Sequence, residues 1–387
     1  MSKGKRILFL SATTHIFIDS FSIGIAIVIS EIFGKNQKYF DVGIILASFT
    51  IATAIAEPLW GFISDMIQKR GFIVSMGLFG ASFFFSLFPL YNFFSFSSVL
   101  YLSVVSFLTG LFAGTYHSVA TTFLNETVCQ ENRGFFQGIN NAGGSVGRMA
   151  APFVLSLLIA KVSFSAAFLP YIFLGIPIGV ISFFLYPKAD SFSIKNLPEK
   201  KFAFVVDRFV VLLMVISFLR TAFFLTALNF LPSFLTGFKK FDSIKSGYIM
   251  TLVLASGIFA QPIGGKISDY SNRSFFMTIL LFASGFSFFL FLFLPFSIGL
   301  FFLALSFFAT LMTFPILFAI IGDEVPRENM GFLTGLVSGA GGLSAAVLQI
   351  VSGAMSEKIS PQSAFLLLSL LPILSAFASM LLRKKLN

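Results

Sequence analysis

Twelve long stretches of mostly apolar residues run the length of this chain, separated by short polar or turn-forming clusters. They lie at 7–30, 42–63, 72–94, 99–125, 135–160, 164–186, 209–235, 247–267, 275–295, 299–321, 331–354 and 362–382. Each holds at least the roughly 20 residues that a helix needs to cross a hydrocarbon core about 30 Å thick. Backbone polar groups in lipid must be satisfied within a helix or a closed barrel, and runs such as 282–299 lack the alternating polarity of a barrel strand. Composition agrees, since 57% of the residues are hydrophobic and 11% charged, against about 25% charged in soluble chains. The expected fold class is an all-α polytopic membrane protein with twelve transmembrane helices, whose lipid bilayer takes the place of water around an apolar exterior.

The distribution of charge orients the chain. With the amino terminus inside, the cytoplasmic segments hold 17 of the 26 Lys and Arg residues and the opposite side holds seven, while Arg148 and Arg220 fall within spans. Basic residues concentrate on the cytoplasmic flanks of membrane proteins, so both termini are expected in the cytoplasm and the net charge of +10 is no sign of nucleic-acid binding. The basic start at Met1–Arg6 leads into an apolar stretch longer than a signal-peptide core, read as a retained first span. The single cysteine, Cys129, excludes an intrachain disulfide, and with two histidines it leaves too few soft ligands for a structural zinc site, so no metal is expected.

The chain also repeats itself. Glu57-Pro58-Leu59-Trp60-Gly61-Phe62-Ile63-Ser64-Asp65 closes the second span, and Gln261-Pro262-Ile263-Gly264-Gly265-Lys266-Ile267-Ser268-Asp269 closes the eighth, 204 residues on, with five of nine positions identical. Glu131-Asn132-Arg133-Gly134-Phe135 and Glu328-Asn329-Met330-Gly331-Phe332 precede spans five and eleven at an offset of 197. Two matches at nearly one offset make each half a copy of a six-span unit. The longest polar stretch lies between the copies, so the expected division is a six-helix bundle over 1–186, a cytoplasmic linker over 187–208 and a second bundle over 209–387.

These residues resemble the major facilitator superfamily of secondary transporters, whose signature after the second span is matched here by Gly61, Asp65, Lys69, Arg70 and Gly71. Met66 and Gln68 depart from that signature, and Tyr270 follows Asp269 in the second copy. A narrower likeness, to the fosmidomycin-resistance-type efflux group, rests on His15, Asp19, Tyr116-His117, Arg133-Gly134 and the glycines of span five. The resemblance implies the major facilitator fold, alternating access, a monomer in the plasma membrane and export. It also implies a gating role for Gly61, Asp65, Lys69, Arg70, Gly265, Asp269 and Arg273, which would hold helices together on the inner side. The plain structural alternative is that Asp65 and Asp269 are solvated helix caps.

Ionisable groups near mid-membrane cost at least about 2.5–3.5 kcal/mol each, so they need a partner, an aqueous cavity or a function. At about 1.5 Å per residue, Asp19, Arg148 and Arg220 lie roughly 16–20 Å deep, with His15 and His117 a turn closer to the cytoplasm. His15 and Asp19 are four residues apart, share one helix face and are suited to carrying a proton. Asp19 offsets one of the two arginines, and the surplus cation favours a carboxylate or phosphonate, which the guanidinium fork binds bidentately. Glu57, two turns above Asp65, cancels that surplus if it turns inward; its second-half counterpart Gln261 is neutral. Asn140, Asn141 and Gln137 are candidate polar contacts to substrate. The structural alternative is a buried Asp19–Arg148 pair that serves only helix packing.

The function expected is secondary active transport, most simply proton-coupled export of a small organic anion or antibiotic, with a proton gradient rather than a cofactor as energy source. Two alternatives stay open: a proton-coupled exporter of lipophilic cations or drugs, and an uptake permease for organic anions. A polytopic enzyme would need a catalytic cluster, and no nucleotide-binding glycine loop, metal-ligand spacing or nucleophile motif is present.

Overall fold

A computed structural model describes residues 3–67, 69–93, 98–128, 130–185, 207–325 and 330–386. All regular structure among them is helical, and twelve helices are long and apolar enough to cross a membrane. The first six are α1 (Ile7–Gly34), α2 (Tyr39–Ile67), α3 (Arg70–Tyr91), α4 (Ser98–Glu126), α5 (Gln130–Lys161) and α6 (Phe164–Leu185). The second six are α7 (Arg208–Phe238), α8 (Ser243–Asp269), α9 (Arg273–Phe293), α10 (Phe296–Glu324), α11 (Met330–Lys358) and α12 (Pro361–Leu382). Each coincides with one expected span. Three start one, four and two residues before it because the helix continues past the apolar stretch to a polar cap: Asp207 accepts from the Val210 amide, Asp242 from Lys245 and Asn272 from Phe275. Of the expected linker, residues 187–206 lie outside the described residues, as do Cys129 and Glu328-Asn329.

The two six-helix halves meet along two intimate pairs, α2 against α11 and α5 against α8, while α1 packs on α5 and α7 on α11. Glycine permits this approach because it has no Cβ to hold the backbones apart. A Cβ on Gly61 would strike the Gly331 carbonyl, and one on Gly265 would strike the Gly134 carbonyl, the same contact in the two copies. The repeat extends to backbone irregularities. α1 and α7 both end in a π-helical turn, at Ser30–Gly34 and Phe234–Phe238, again 204 residues apart, and the Ser30 and Thr236 hydroxyls join them at 3.0 Å. Side chains such as Phe173, Phe184, Phe259 and Phe301 face outward, as a lipid-facing surface requires.

α4 is interrupted by a turn at Gly114 and Thr115, where a Cβ on Gly114 would lie 2.7 Å from Ala56 Cβ. The turn falls at this close approach to α2, directly before Tyr116 and His117. The restarted helix delivers both rings to the centre of the bundle.

Candidate functional site

At mid-height between the halves lies a cavity of about 110 Å³. His15, Asp19, Glu57, His117, Asn141 and Arg148 line it from the first half, and Arg220 and Gln261 from the second. Ser217, Thr221, Phe224, Phe314 and Ser338 complete much of the wall. Nearly all the residues expected on the pathway therefore converge, although they come from α1, α2, α4, α5, α7 and α8. Asn140 is the exception: its carbonyl accepts from His15 Nδ1 at 2.9 Å and its side chain accepts from Tyr116 Oη at 2.9 Å, so it stands behind His15. Gln137 is likewise turned away, donating to Asn125 at 2.8 Å.

Asp19 is the hub of the first half. Arg148 Nη1 and His15 Nε2, the latter at 3.0 Å, meet its Oδ2, and His117 Nε2 is 3.5 Å from its Oδ1. Hydrogen inventory matters here. A backbone carbonyl only accepts, so the bond to Asn140 requires a hydrogen on His15 Nδ1. His15 Nε2 faces Asp19 Oδ2 at 3.0 Å but makes no hydrogen bond to it. Three titratable side chains, His15, Asp19 and His117, thus stand together beside Arg148. The ligand atoms of His15, Asp19 and His117 also lie within 4.8 Å of one another, a grouping of metal-binding size that ligand spacing along the chain does not reveal. Arg148 on the same carboxylate oxygen would set a guanidinium against any divalent ion, so the donor set suits a proton better.

Close packing of α1 on α5 makes the pair possible. A Cβ on Gly144 would strike Asp19 Oδ2 and lie 2.8 Å from both Asp19 Cγ and His15 Nε2. Gly144→Ala is accordingly expected to destabilise the fold by about 1–3 kcal/mol, the usual cost of overpacking, read as a lowered melting temperature. Gly299→Ala, whose nearest neighbour would be 3.0 Å away, is the comparison, and equal losses would sink the argument.

Arg220 is only 2% exposed. Its Nη1 is 3.3 Å from the Thr313 carbonyl, its Nη2 is 3.4 Å from Thr221 Oγ1, and its guanidinium carbon is 4.0 Å from the centre of the Phe314 ring. No carboxylate lies within ion-pair distance of it among the described residues, and its Nε has no partner. Glu57 turns inward, onto the same cavity wall as Arg220. It shares that wall with Ser338 of the other half, and its Oε2 has no hydrogen-bond partner.

The ends of the helices hold the halves together. On the side of the chain termini, Asp65 accepts from the Phe332 amide at 3.0 Å and meets Arg70 at 3.2 Å. Asp269 accepts from the Gly134 and Phe135 amides, each at 3.0 Å, and meets Arg273 at 3.0 Å. Each carboxylate therefore sits at the amino-terminal end of a helix in the opposite half, where the helix dipole favours negative charge. Lys69 is exposed, and Arg70 is the cation on Asp65. Two further carboxylates extend these locks: Glu126 pairs with Arg70, and Asp323 with Arg273 at 3.3 Å and Arg133 at 3.0 Å. Sequence reasoning passed over both, although they stand 197 residues apart, the offset of the neighbouring repeat. On the opposite side, Ser22 donates to Asn229 at 3.1 Å and the Phe40 amide to Glu357 at 3.0 Å. Cross-half contacts are made at both ends of the central path.

Comparison with known proteins places this geometry among transporters. A family profile described as Major Facilitator Superfamily matches residues 8–347, with a second match over 241–386. An uncharacterized MFS-type transporter of Methanocaldococcus jannaschii is 26% identical over 184 residues, covering 47% of this chain and 45% of its own. The staphyloferrin B transporter of Staphylococcus aureus is 24% identical over 260 residues, covering 62% of this chain and 58% of its own. The matched stretches thus span about half the length of these relatives. A crystal structure of the human organic anion transporter TETRAN superposes with a TM-score of 0.72 at 16% identity, covering 98% of this chain and 100% of that one.

Proposed function

The chain belongs to the major facilitator superfamily, and from that premise we propose that it is a secondary active transporter of a small organic anion. The observation that carries this reading is Arg220, a buried guanidinium in the central cavity without a carboxylate partner. A buried unpaired cation is costly, and a solute carboxylate or phosphonate that fills the guanidinium fork removes that cost. The His15–Asp19–His117–Arg148 cluster is the coupling site, because it gathers three titratable side chains and a guanidinium on the cavity wall. The paired Asp65 and Asp269 locks and the contacts on the opposite side act as the two gates of alternating access.

The 17-to-7 distribution of basic residues supports cytoplasmic termini, with bundles over 1–186 and 209–387 joined by a linker at 187–208. Export across the plasma membrane, as a monomer, is the direction favoured by the likeness to the fosmidomycin-resistance-type group. A cavity of about 110 Å³ falls below the roughly 300–1,000 Å³ of sites for drug-sized ligands, which favours a small solute over a lipophilic drug.

Thermal unfolding of the purified protein against carboxylates, phosphonates, sugars and lipophilic cations tests the reading. A ligand at 100 times its Kd stabilises by about 2.7 kcal/mol. Anions are expected to raise the melting temperature of the wild type and not of Arg220→Gln, and an imposed pH gradient is expected to drive their accumulation in proteoliposomes. Stabilisation by lipophilic cations alone, lost in Asp19→Asn, would mean a drug exporter instead.

A further inference from the structure

The cavity holds a buried carboxyl and a buried guanidinium that have no ionic partner. Asp19 and Arg148 satisfy each other, with the two histidines alongside. What remains is Glu57 from α2 in the first half and Arg220 from α7 in the second, 7% and 2% exposed, both on the wall of the same cavity. No pairing between them falls within 4.0 Å among the described residues. Each keeps an unsatisfied polar atom, Oε2 of Glu57 and Nε of Arg220. A solute with one negative group neutralises Arg220 and leaves Glu57 bare. A simple amine does the reverse.

The internal repeat shows that the charge on Glu57 is not needed for packing. Gln261 occupies the equivalent position, 204 residues on. It accepts a hydrogen bond from Ser145 of the opposite half at 3.0 Å, while Glu57 and Ser338 share the cavity wall across the other helix pair. A neutral amide therefore serves the cross-half contact. The carboxylate at position 57 is chemically surplus to it, and it faces the cavity that Arg220 also faces.

We propose that the cavity selects a small zwitterion, an amino acid or similar ammonium carboxylate, with its carboxylate on Arg220 and its ammonium group on Glu57. This rests on the reading of Arg220 as the anion point and adds the second point. A solute bound in this way gives both groups an ionic partner at once. Because the two groups belong to different halves, it also draws the halves together, so that binding favours closure around a small cargo. Phe314 beneath the guanidinium and the hydroxyls of Thr221, Ser217 and Ser338 line the space between.

The test is thermal unfolding of the purified full chain with L-alanine, β-alanine, γ-aminobutyrate, propionate and propylamine. At least one amino acid is expected to bind the wild type at least tenfold more tightly than propionate or propylamine. Glu57→Gln, which copies Gln261, is expected to remove that preference so that propionate binds as well as the amino acid. Glu57→Asp retains the charge one methylene short and is expected to shift preference toward the longer γ-aminobutyrate; it decides the matter if the Gln variant does not fold. Propionate binding that requires Arg220, equals amino-acid binding and ignores both Glu57 variants would overturn the zwitterion and leave the anion reading standing. Carboxylate binding unaffected by Arg220→Gln would overturn both.

Discussion

Asp19→Asn is expected to lower the stability of the protein by about 3–5 kcal/mol, because it leaves Arg148 buried without its counter-ion. Asp19 is 8% exposed and Arg148 9%, so water does little to compensate. Arg148→Met is expected to cost a similar amount for the converse reason. The double variant Asp19→Asn/Arg148→Met removes both charges and should recover more than half of either loss, since a neutral pair of similar volume carries no desolvation cost. Melting temperatures of the four proteins form the cycle. Additive losses would mean that the contact is incidental. The same cycle assayed for proton-driven transport separates the roles: a purely structural pair regains transport in the stable double variant, whereas a coupling site does not.

The second large effect concerns the gate on the side of the chain termini. Asp65 and Asp269 between them accept three backbone amides from helices of the opposite half, and a hydrogen bond to a charged group contributes about 1.5–3 kcal/mol. Asp65→Ala/Asp269→Ala should open this side, and a shift of about 3 kcal/mol corresponds to a change of roughly 150-fold in the equilibrium. With Cys129→Ser as background, a reporter at Ser338→Cys on the cavity wall should react with an impermeant maleimide at least tenfold faster from the terminus-bearing face. An unchanged rate would refute the lock.

The proposed gate is largely legible in the sequence. The copied segments 57–65 and 261–269 place Asp65 and Asp269 at equivalent helix ends, and a carboxylate at a helix end has few roles. Its partners are harder to read, because the amides of Gly134 and Phe332 are supplied by helices distant along the chain. The cavity residues divide the same way. Depth within a span selects His15, Asp19, His117, Arg148 and Arg220, since an ionisable group at mid-membrane is conspicuous. Asn140 and Asn141 are neighbours of like chemistry, yet only Asn141 reaches the cavity. Successive residues on a helix point about 100° apart, and the direction of the wall is fixed only once α1 is seated on α5.

By itself the sequence determined the twelve helices, their repeat in two copies and the set of charges that cannot face lipid. Those follow from constraints that act locally along the chain: the thickness of the hydrocarbon core and the need to satisfy each backbone polar group within its own span. The tertiary structure alone decided which charges compensate one another. Asp19 had two arginines at comparable depth, and it is the glycine-lined approach of α1 to α5 that gives it Arg148 and leaves Arg220 unpaired. Pairing depends on the rotation and separation of helices that meet only after folding, and no spacing along one chain records either.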